Sequence, residues 1–145
     1  AYAELFEDPL VAAIPLQHPL AAQSELRAAD FDTLPYIGYP KDASSGFSRQ
    51  VLALLLAAGA RPQMRQDAKE IHTALGLVAA GLGATVVGRS VAGNNRTDVR
   101  FLPIADLREP SRVMMVRKTK TPNALVDAFV QILRAQVPAA GAPAG

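Results

Sequence analysis

Cysteine is absent from the sequence, and so are long apolar runs. Without cysteine the chain can form no disulfide, thiolate metal site, cysteine nucleophile or iron–sulfur cluster. One of the longest apolar runs, residues 51–60, has ten residues, whereas a helix needs about 18 to 20 to cross a bilayer. We therefore expect neither cysteine chemistry nor a membrane span.

Charged residues are also scarce: they make up 19% of the 145 residues, with 15 basic and 13 acidic side chains. The largest basic cluster is residues 117–120, whereas a DNA-binding protein usually concentrates more positive charge on one face. This chain is therefore not expected to bind nucleic acid itself. Hydrophobic residues make up 50% of the sequence, which indicates a packed core rather than disorder.

Familiar catalytic and cofactor motifs are missing as well. The two histidines, His18 and His72, are not spaced as paired metal ligands, and no G-x-S-x-G or Walker A pattern occurs. Gly81 and Gly83 precede an apolar β-rich segment instead of opening a helix, so they indicate a helix end and not a dinucleotide loop. We expect no metal, no cofactor and no enzymatic activity.

Short β-rich segments alternate with helical patterns along the chain, which predicts an α/β fold with a parallel sheet covered on both faces. The predicted strands are residues 9–15, 34–40, 61–67, 84–88, 99–104 and 113–118. The predicted helices are a short one at 24–29, then 49–58, one starting at 67–70 with an apolar body at 71–80, and an amphipathic one from 122 onward.

Several residues mark where these helices begin and end. Ser44 or Ser45 is the expected N-cap of the 49–58 helix, and Gly59 is expected to end it. Residues 67–70 read D-x-x-E, a pattern that resembles a capping box in which the Asp67 side chain would cap backbone donors.

One segment has a physical argument for function. Ser44, Ser45, Gly46 and Phe47 follow the carboxyl end of a predicted strand and open a helix. Hydroxyl groups, free backbone N–H groups and the positive end of the helix dipole meet there, at the edge where open α/β sheets bind ligands. An anion-binding loop and an ordinary N-cap with Phe47 in the core both fit this pattern.

Residues 70–83 (EIHTALGLVAAGLG) and 84–91 (ATVVGRSV) closely resemble the signature of the effector-binding domain of LysR-type transcriptional regulators. Three other landmarks agree in order and spacing: residues 9–21 are similar to the family's crossover strand, 39–47 to its pocket loop, and 99–104 to the strand that returns from the second subdomain. The resemblance covers roughly residues 4–135.

The resemblance implies an α/β fold of the type II periplasmic-binding-protein class, in which two Rossmann-like subdomains hold the effector in the cleft between them. The end of the first subdomain and a crossover would occupy residues 1–11, the second subdomain 12–105, the return crossover, strand and helix of a partial first subdomain 106–137, and a disordered tail 138–145. Because the sequence begins without Met and without the family's helix-turn-helix, we expect it to be a sensor fragment of a longer regulator.

Within the family, the sequence is most similar to the branch that governs aromatic-compound catabolism. The resemblance implies that Ser45, Gly46 and Phe47 contact an effector carboxylate, with Ser44 beside them, and that Ile71 and Val113 form apolar pocket walls. Glu70 matches a position near a second, more buried site. Tyr2 and Leu16 stand where that branch tends to place arginines, so an effector less acidic than a muconate is also compatible with the sequence.

The leading hypothesis is therefore a cytoplasmic effector-sensing domain, which binds a small organic or aromatic acid and uses a hinge to control a DNA-bound regulator. DNA contact would be made only by a helix-turn-helix absent from this sequence, and the full-length protein would be a homo-oligomer without a membrane partner. The alternatives are a fragment of a periplasmic solute-binding protein and a small α/β enzyme, for which no nucleophile, base and oxyanion set can be assembled.

Overall fold

A computed structural model describes residues 1–39, 45–93, 96–118 and 122–137. The chain divides into two compact units: the smaller unit is Ala1–Asp8 with Pro110–Gly145, and the larger unit is Pro9–Glu109. The predicted disordered tail, 138–145, lies outside the described residues. Within the described ranges, every helix is too short or too polar to span a membrane.

The described elements alternate between strands and helices, as predicted. The strands are β1 (Tyr2–Asp8), β2 (Leu10–Pro15), β3 (Pro35–Gly38), β4 (Gln63–Asp67), β5 (Thr85–Gly88), β6 (Val99–Pro103) and β7 (Ser111–Val116). The α-helices are α1 (Gly46–Ala57), α2 (Ile71–Ala79), α3 (Arg89–Ala92) and α4 (Ala124–Gln136), and two short 3-10 helices cover Pro19–Ala22 and Ala28–Asp32.

In the larger unit, five strands lie in the order β4-β3-β5-β2-β6. Strand β3 pairs in parallel with β4, and it is joined in parallel to the start of β5 by hydrogen bonds from Ile37 N–H to Ala84 O (2.9 Å) and from Ala84 N–H to Pro35 O (2.8 Å). Strand β2 runs antiparallel to both of its neighbours, β5 and β6. The predicted parallel sheet is therefore correct for β3, β4 and β5, which helical crossovers connect, and wrong for β2, whose partners come much later in the chain.

Side chains alternate between the two faces of this sheet, and each face has its own apolar cluster. The face that we call the α1 face is covered by α1 through Val51 and Leu55, and it includes Leu10, Ala12, Ile14, Tyr36, Val86 and Leu102. The opposite face, the α2 face, is covered by α2 through Ala74, Leu75 and Val78, and it includes Val11, Ala13, Ile37, Val87 and Val99. The sheet is thus covered on both faces, as expected.

The short helix expected at residues 24–29 does not form. Leu26 is instead extended, with its N–H donating to Pro103 O and its carbonyl accepting from Ala105 N–H, each at 2.8 Å. Leu26 is fully buried, and it extends the sheet beyond β6. Pairing with the strand edge satisfies backbone groups that a helix of this length would leave without partners.

The capping box expected at residues 67–70 is also wrong. Asp67 is the last residue of β4, and the N–H of Ala68 still pairs with Gly38 O at 2.8 Å. Helix α2 begins only at Ile71, with Glu70 at its N-cap and no cap bond from the Glu70 side chain. The sheet pairing keeps the chain extended through the segment that the local pattern assigned to a helix.

The smaller unit contains the antiparallel pair of β1 and β7, with an irregularity in β1 between Glu4 and Phe6, followed by α4. The Asn123 side chain caps α4 by accepting hydrogen bonds from the N–H groups of Leu125 (3.0 Å) and Val126 (3.3 Å). The helix is amphipathic as predicted, yet none of its described residues is buried, and Leu125 is 81% exposed.

Glycines end the two long helices of the larger unit, as expected. Gly59 and Gly81 have φ angles of 85° and 81°, the left-handed conformation that favours glycine after a helix. Gly83 is needed for a different reason, because a Cβ atom there would collide with the carbonyl oxygen of Pro35. That carbonyl accepts the Ala84 N–H bond that joins β5 to β3.

We predict that Gly83→Ala destabilises the chain by about 1 to 3 kcal/mol, because the added methyl group must push β3 and β5 apart. Gly76→Ala is the matched control: Gly76 lies inside α2 with open space at its Cβ position, so the change should stabilise the chain by up to about 1 kcal/mol. Chemical denaturation, monitored by circular dichroism, measures the change in the free energy of unfolding for both substitutions. Equal effects of the two substitutions would contradict the close packing at Gly83.

Burial raises the pKa of the Tyr36 phenol from its usual value to about 12. The folded state therefore disfavours the phenolate, whereas the unfolded chain ionises near pH 10. We predict that the free energy of unfolding falls by up to about 1.4 kcal/mol per pH unit between pH 10 and 12. Tyr36→Phe keeps the ring contact with Phe31 and should remove this decrease with pH. Denaturation at pH 9 to 12 measures it, and an equal decrease in both proteins would show that Tyr36 is not its cause.

Candidate functional site

The carboxyl ends of β3 and β4 place the starts of α1 and α2 at one edge of the sheet. Strand β3 ends at Gly38 and leads toward α1, which begins at Gly46. Strand β4 ends at Asp67 and leads to α2, which begins at Ile71. Because β3 and β4 are neighbouring parallel strands, both connections leave from the same edge, where open α/β sheets form ligand sites.

Ser45 is the N-cap of α1, one of the two residues predicted for this position. Its backbone is extended, with φ −64° and ψ 114°, and its Oγ accepts a hydrogen bond from the Ser48 N–H at 3.4 Å. Within the described part of the chain, the N–H groups of Gly46 and Phe47 have no acceptor. Two backbone donors and the positive end of a 12-residue helix therefore remain available at this point.

Phe47 lies partly in the core and partly at the surface. Its side chain is half-buried and packs against the α1-face cluster, so part of the ring belongs to the core. The remaining part lies beside Tyr39, with the ring centroids 5.7 Å apart and the planes tilted by 46°. Tyr39 itself packs against the α2-face cluster. The two rings form an aromatic surface next to the free amides of α1.

At the start of α2, Glu70 and Ile71 differ in burial. Ile71 is half-buried and packs against the α2-face cluster, which Tyr39 also contacts. Glu70 is exposed, and its carboxylate accepts a hydrogen bond from the Thr73 hydroxyl at 3.1 Å. The neighbouring cationic side chain, Lys69, is exposed as well.

The other predicted site residues fall elsewhere. Ser44 lies outside the described residues. Val113 is on β7 in the smaller unit, where it pairs with Phe6. Tyr2 and Leu16, at the positions where arginines were considered, are 79% and 46% exposed.

Asp67 also lies at this edge, although its sequence pattern indicated a helix cap. It lies instead at the end of β4, with its carboxylate directly above Gly38. The sequence does contain a signal for this position: Gly38, at the carboxyl end of a strand, leaves room for a side chain from a neighbouring strand.

Among the residues that the structure describes, no group of three or more His, Asp or Glu side chains could hold a metal ion. A cavity of about 440 Å³ lies in the smaller unit, between β1, β7 and α4. Its described lining includes Arg117, Arg134 and Asp127 and none of the predicted site residues.

Solved structures similar to this chain include transcriptional regulators and their effector-binding domains. The BenM effector binding domain with its effector benzoate gives a TM-score of 0.79 at 21% identity, covering 93% of this chain and 62% of that chain. Full-length CbnR complexed with its target DNA gives a TM-score of 0.82 at 20% identity, and the match covers 93% of this chain and 47% of CbnR. The fold is therefore that of an effector-binding domain, an α/β fold of the type II periplasmic-binding-protein class.

Sequence similarity identifies the family. The LysR substrate binding domain family matches residues 1–138, and the chain belongs to it. The HTH-type transcriptional regulator CatR of Pseudomonas putida is 35% identical over 132 residues, which are 91% of this chain and 45% of CatR. The chain thus spans less than half the length of this relative. The expected LysR resemblance is confirmed, and the solute-binding-protein alternative is not favoured.

Proposed function

We propose that this chain is the effector-sensing domain of a LysR-type regulator and that a small organic or aromatic acid binds at the start of α1. The observation that carries this proposal is the pair of backbone N–H groups of Gly46 and Phe47, which lack an acceptor within the described residues. They lie beside the Ser45 hydroxyl and the Tyr39–Phe47 ring pair.

A carboxylate fits these groups for two reasons. It accepts hydrogen bonds from backbone N–H groups, and the positive end of the α1 dipole favours its charge. An aromatic or apolar body of the acid would pack against the Phe47 ring, in an offset or edge-on contact of the kind that Phe47 and Tyr39 already make. Ile71, on the same edge of the sheet, would add apolar surface.

The relatives support this class of ligand. BenM has benzoate, an aromatic monocarboxylate, as its effector, and the BenM domain shares the fold of this chain. CbnR binds its target DNA as a full-length protein. By analogy, DNA binding and assembly into a homo-oligomer would belong to a longer parent protein. These relatives are regulators, which supports binding instead of catalysis as the function of this chain.

The mechanism follows from linkage. An effector shifts a conformational equilibrium only as far as its affinities for the two states differ. In a parent regulator, an acid that prefers one arrangement of the sensing domain would favour that arrangement and so change how the DNA-binding segments are held.

The test uses substitutions at Ser45 that preserve the helix cap. Asp and Asn are both good N-caps, so Ser45→Asp and Ser45→Asn should fold like the original chain. The Asp variant places a negative charge at the amides of α1, whereas the Asn variant is its neutral match. We predict that benzoate raises the melting temperature of the original chain and of Ser45→Asn, and that Ser45→Asp lowers the affinity for benzoate at least about tenfold.

Phe47→Ala should also abolish the thermal shift, because it removes the aromatic surface. Phe129→Ala is its control, since Phe129 is an exposed phenylalanine of α4 in the smaller unit. Calorimetric titration with benzoate, salicylate and muconate measures the affinities. The proposal fails if none of these acids binds the original chain, or if Ser45→Asp binds them as tightly as Ser45→Asn.

A further inference from the structure

Asp67 places a carboxylate at the same edge of the sheet as the start of α1. Its Oδ1 atom lies 2.7 Å from the position that a Cβ atom on Gly38 would occupy. Asp67 is exposed, and no residue within the described ranges forms a hydrogen bond or ion pair with its carboxylate. The glycine leaves the space in which this side chain lies.

The alternation of β3 shows which face this carboxylate occupies. Tyr36 points into the α1-face cluster and Ile37 into the α2-face cluster, so the Cβ direction of Gly38 is on the α1 face. The Asp67 carboxylate fills that direction and therefore lies on the face that α1 covers. It lies at the carboxyl end of β3, from which the chain passes to Tyr39 and then to α1.

From the end of β3, beside the Asp67 carboxylate, the chain leads toward the proposed ligand groups. Gly38 is followed by Tyr39, whose ring contacts the ring of Phe47. A second carboxylate, that of Glu70, is exposed at the start of α2 on the same edge. The residues proposed to contact the ligand in the larger unit, Ser45 to Phe47 and Ile71, include no cationic side chain.

A carboxylate in this position affects ligands in two ways. It repels a second negative charge on the ligand, and it can only accept hydrogen bonds, so it favours a ligand with a donor group. Selectivity arises here as much from the charge that excludes the wrong ligand as from contacts with the right one.

We propose that Asp67 is a specificity-determining residue of the effector site. It selects a monocarboxylic acid that carries a hydroxyl or amino group and rejects dicarboxylic acids. This inference rests on the proposed function, because it requires an acid to bind at the start of α1. The amides of that helix hold the carboxylate of the ligand, and Asp67 accepts a hydrogen bond from its second substituent.

The experiment compares ligands that share one skeleton. Benzoate, 3-hydroxybenzoate, 3-aminobenzoate and benzene-1,3-dicarboxylate are titrated calorimetrically into the original chain, Asp67→Asn and Glu25→Gln. The Asn side chain has the shape of Asp without the charge. Glu25→Gln is the charge-matched control, because Glu25 is exposed and precedes Leu26, which pairs just beyond β6, the strand farthest from β4 across the width of the sheet.

We expect the original chain to bind the hydroxy or amino acid more tightly than the dicarboxylate. Asp67→Asn should reduce the ratio of the affinity for 3-hydroxybenzoate or 3-aminobenzoate to the affinity for the dicarboxylate about tenfold, mainly by strengthening dicarboxylate binding. Glu25→Gln should leave this ratio unchanged. Circular dichroism and melting temperatures of the three proteins without ligand verify that all are folded.

The possible failures are distinguishable. If the original chain binds benzoate but the ratio is the same in Asp67→Asn, the role of Asp67 is refuted and the proposed function stands. An equal change in Asp67→Asn and Glu25→Gln refutes it too, because it shows an effect of net charge alone. If neither the original chain nor any variant binds any acid of the series, the proposed function fails and the inference fails with it.

Discussion

The parallel pairing of β3 with β4 on one side and with the start of β5 on the other is the constraint on which the site depends. Because these strands run the same way, the chain leaves β3 toward α1 and β4 toward α2 at one edge of the sheet. The pairing is held by close backbone contact, which allows no side chain at Gly83. The positions of the helix starts follow from this contact.

The two faces of the sheet contribute different groups to that edge. The α1 face supplies the half-buried ring of Phe47 and the start of α1, where two amides lack an acceptor within the described residues. The α2 face supplies Tyr39 and Ile71, which pack against the second apolar cluster. The contact between Tyr39 and Phe47 therefore joins side chains anchored in both clusters, so that core packing holds the aromatic surface beside the amides.

If an acid binds here as proposed, the charges at the edge would make this region more selective than a helix start alone. The amides and dipole of α1 favour an anion, whereas Asp67 and Glu70 place negative charge on the neighbouring strand and helix. A ligand with one carboxylate and one donor group satisfies both requirements at once. In the LysR family, to which the chain belongs, such a preference would distinguish this domain from relatives with other effectors.

Local chemistry allowed the sequence by itself to determine much of the fold. Short apolar, β-rich runs placed β2, β3, β5 and β6, glycines ended α1 and α2, and a serine at position 44 or 45 was expected to cap α1. Each of these features depends on neighbours within a few residues. The direction of β2, the extended Leu26 and the true position of Asp67 depended on strands distant in sequence. Only the tertiary structure decided them, because a D-x-x-E pattern fits a helix cap and a strand end equally until a partner strand pairs with the backbone.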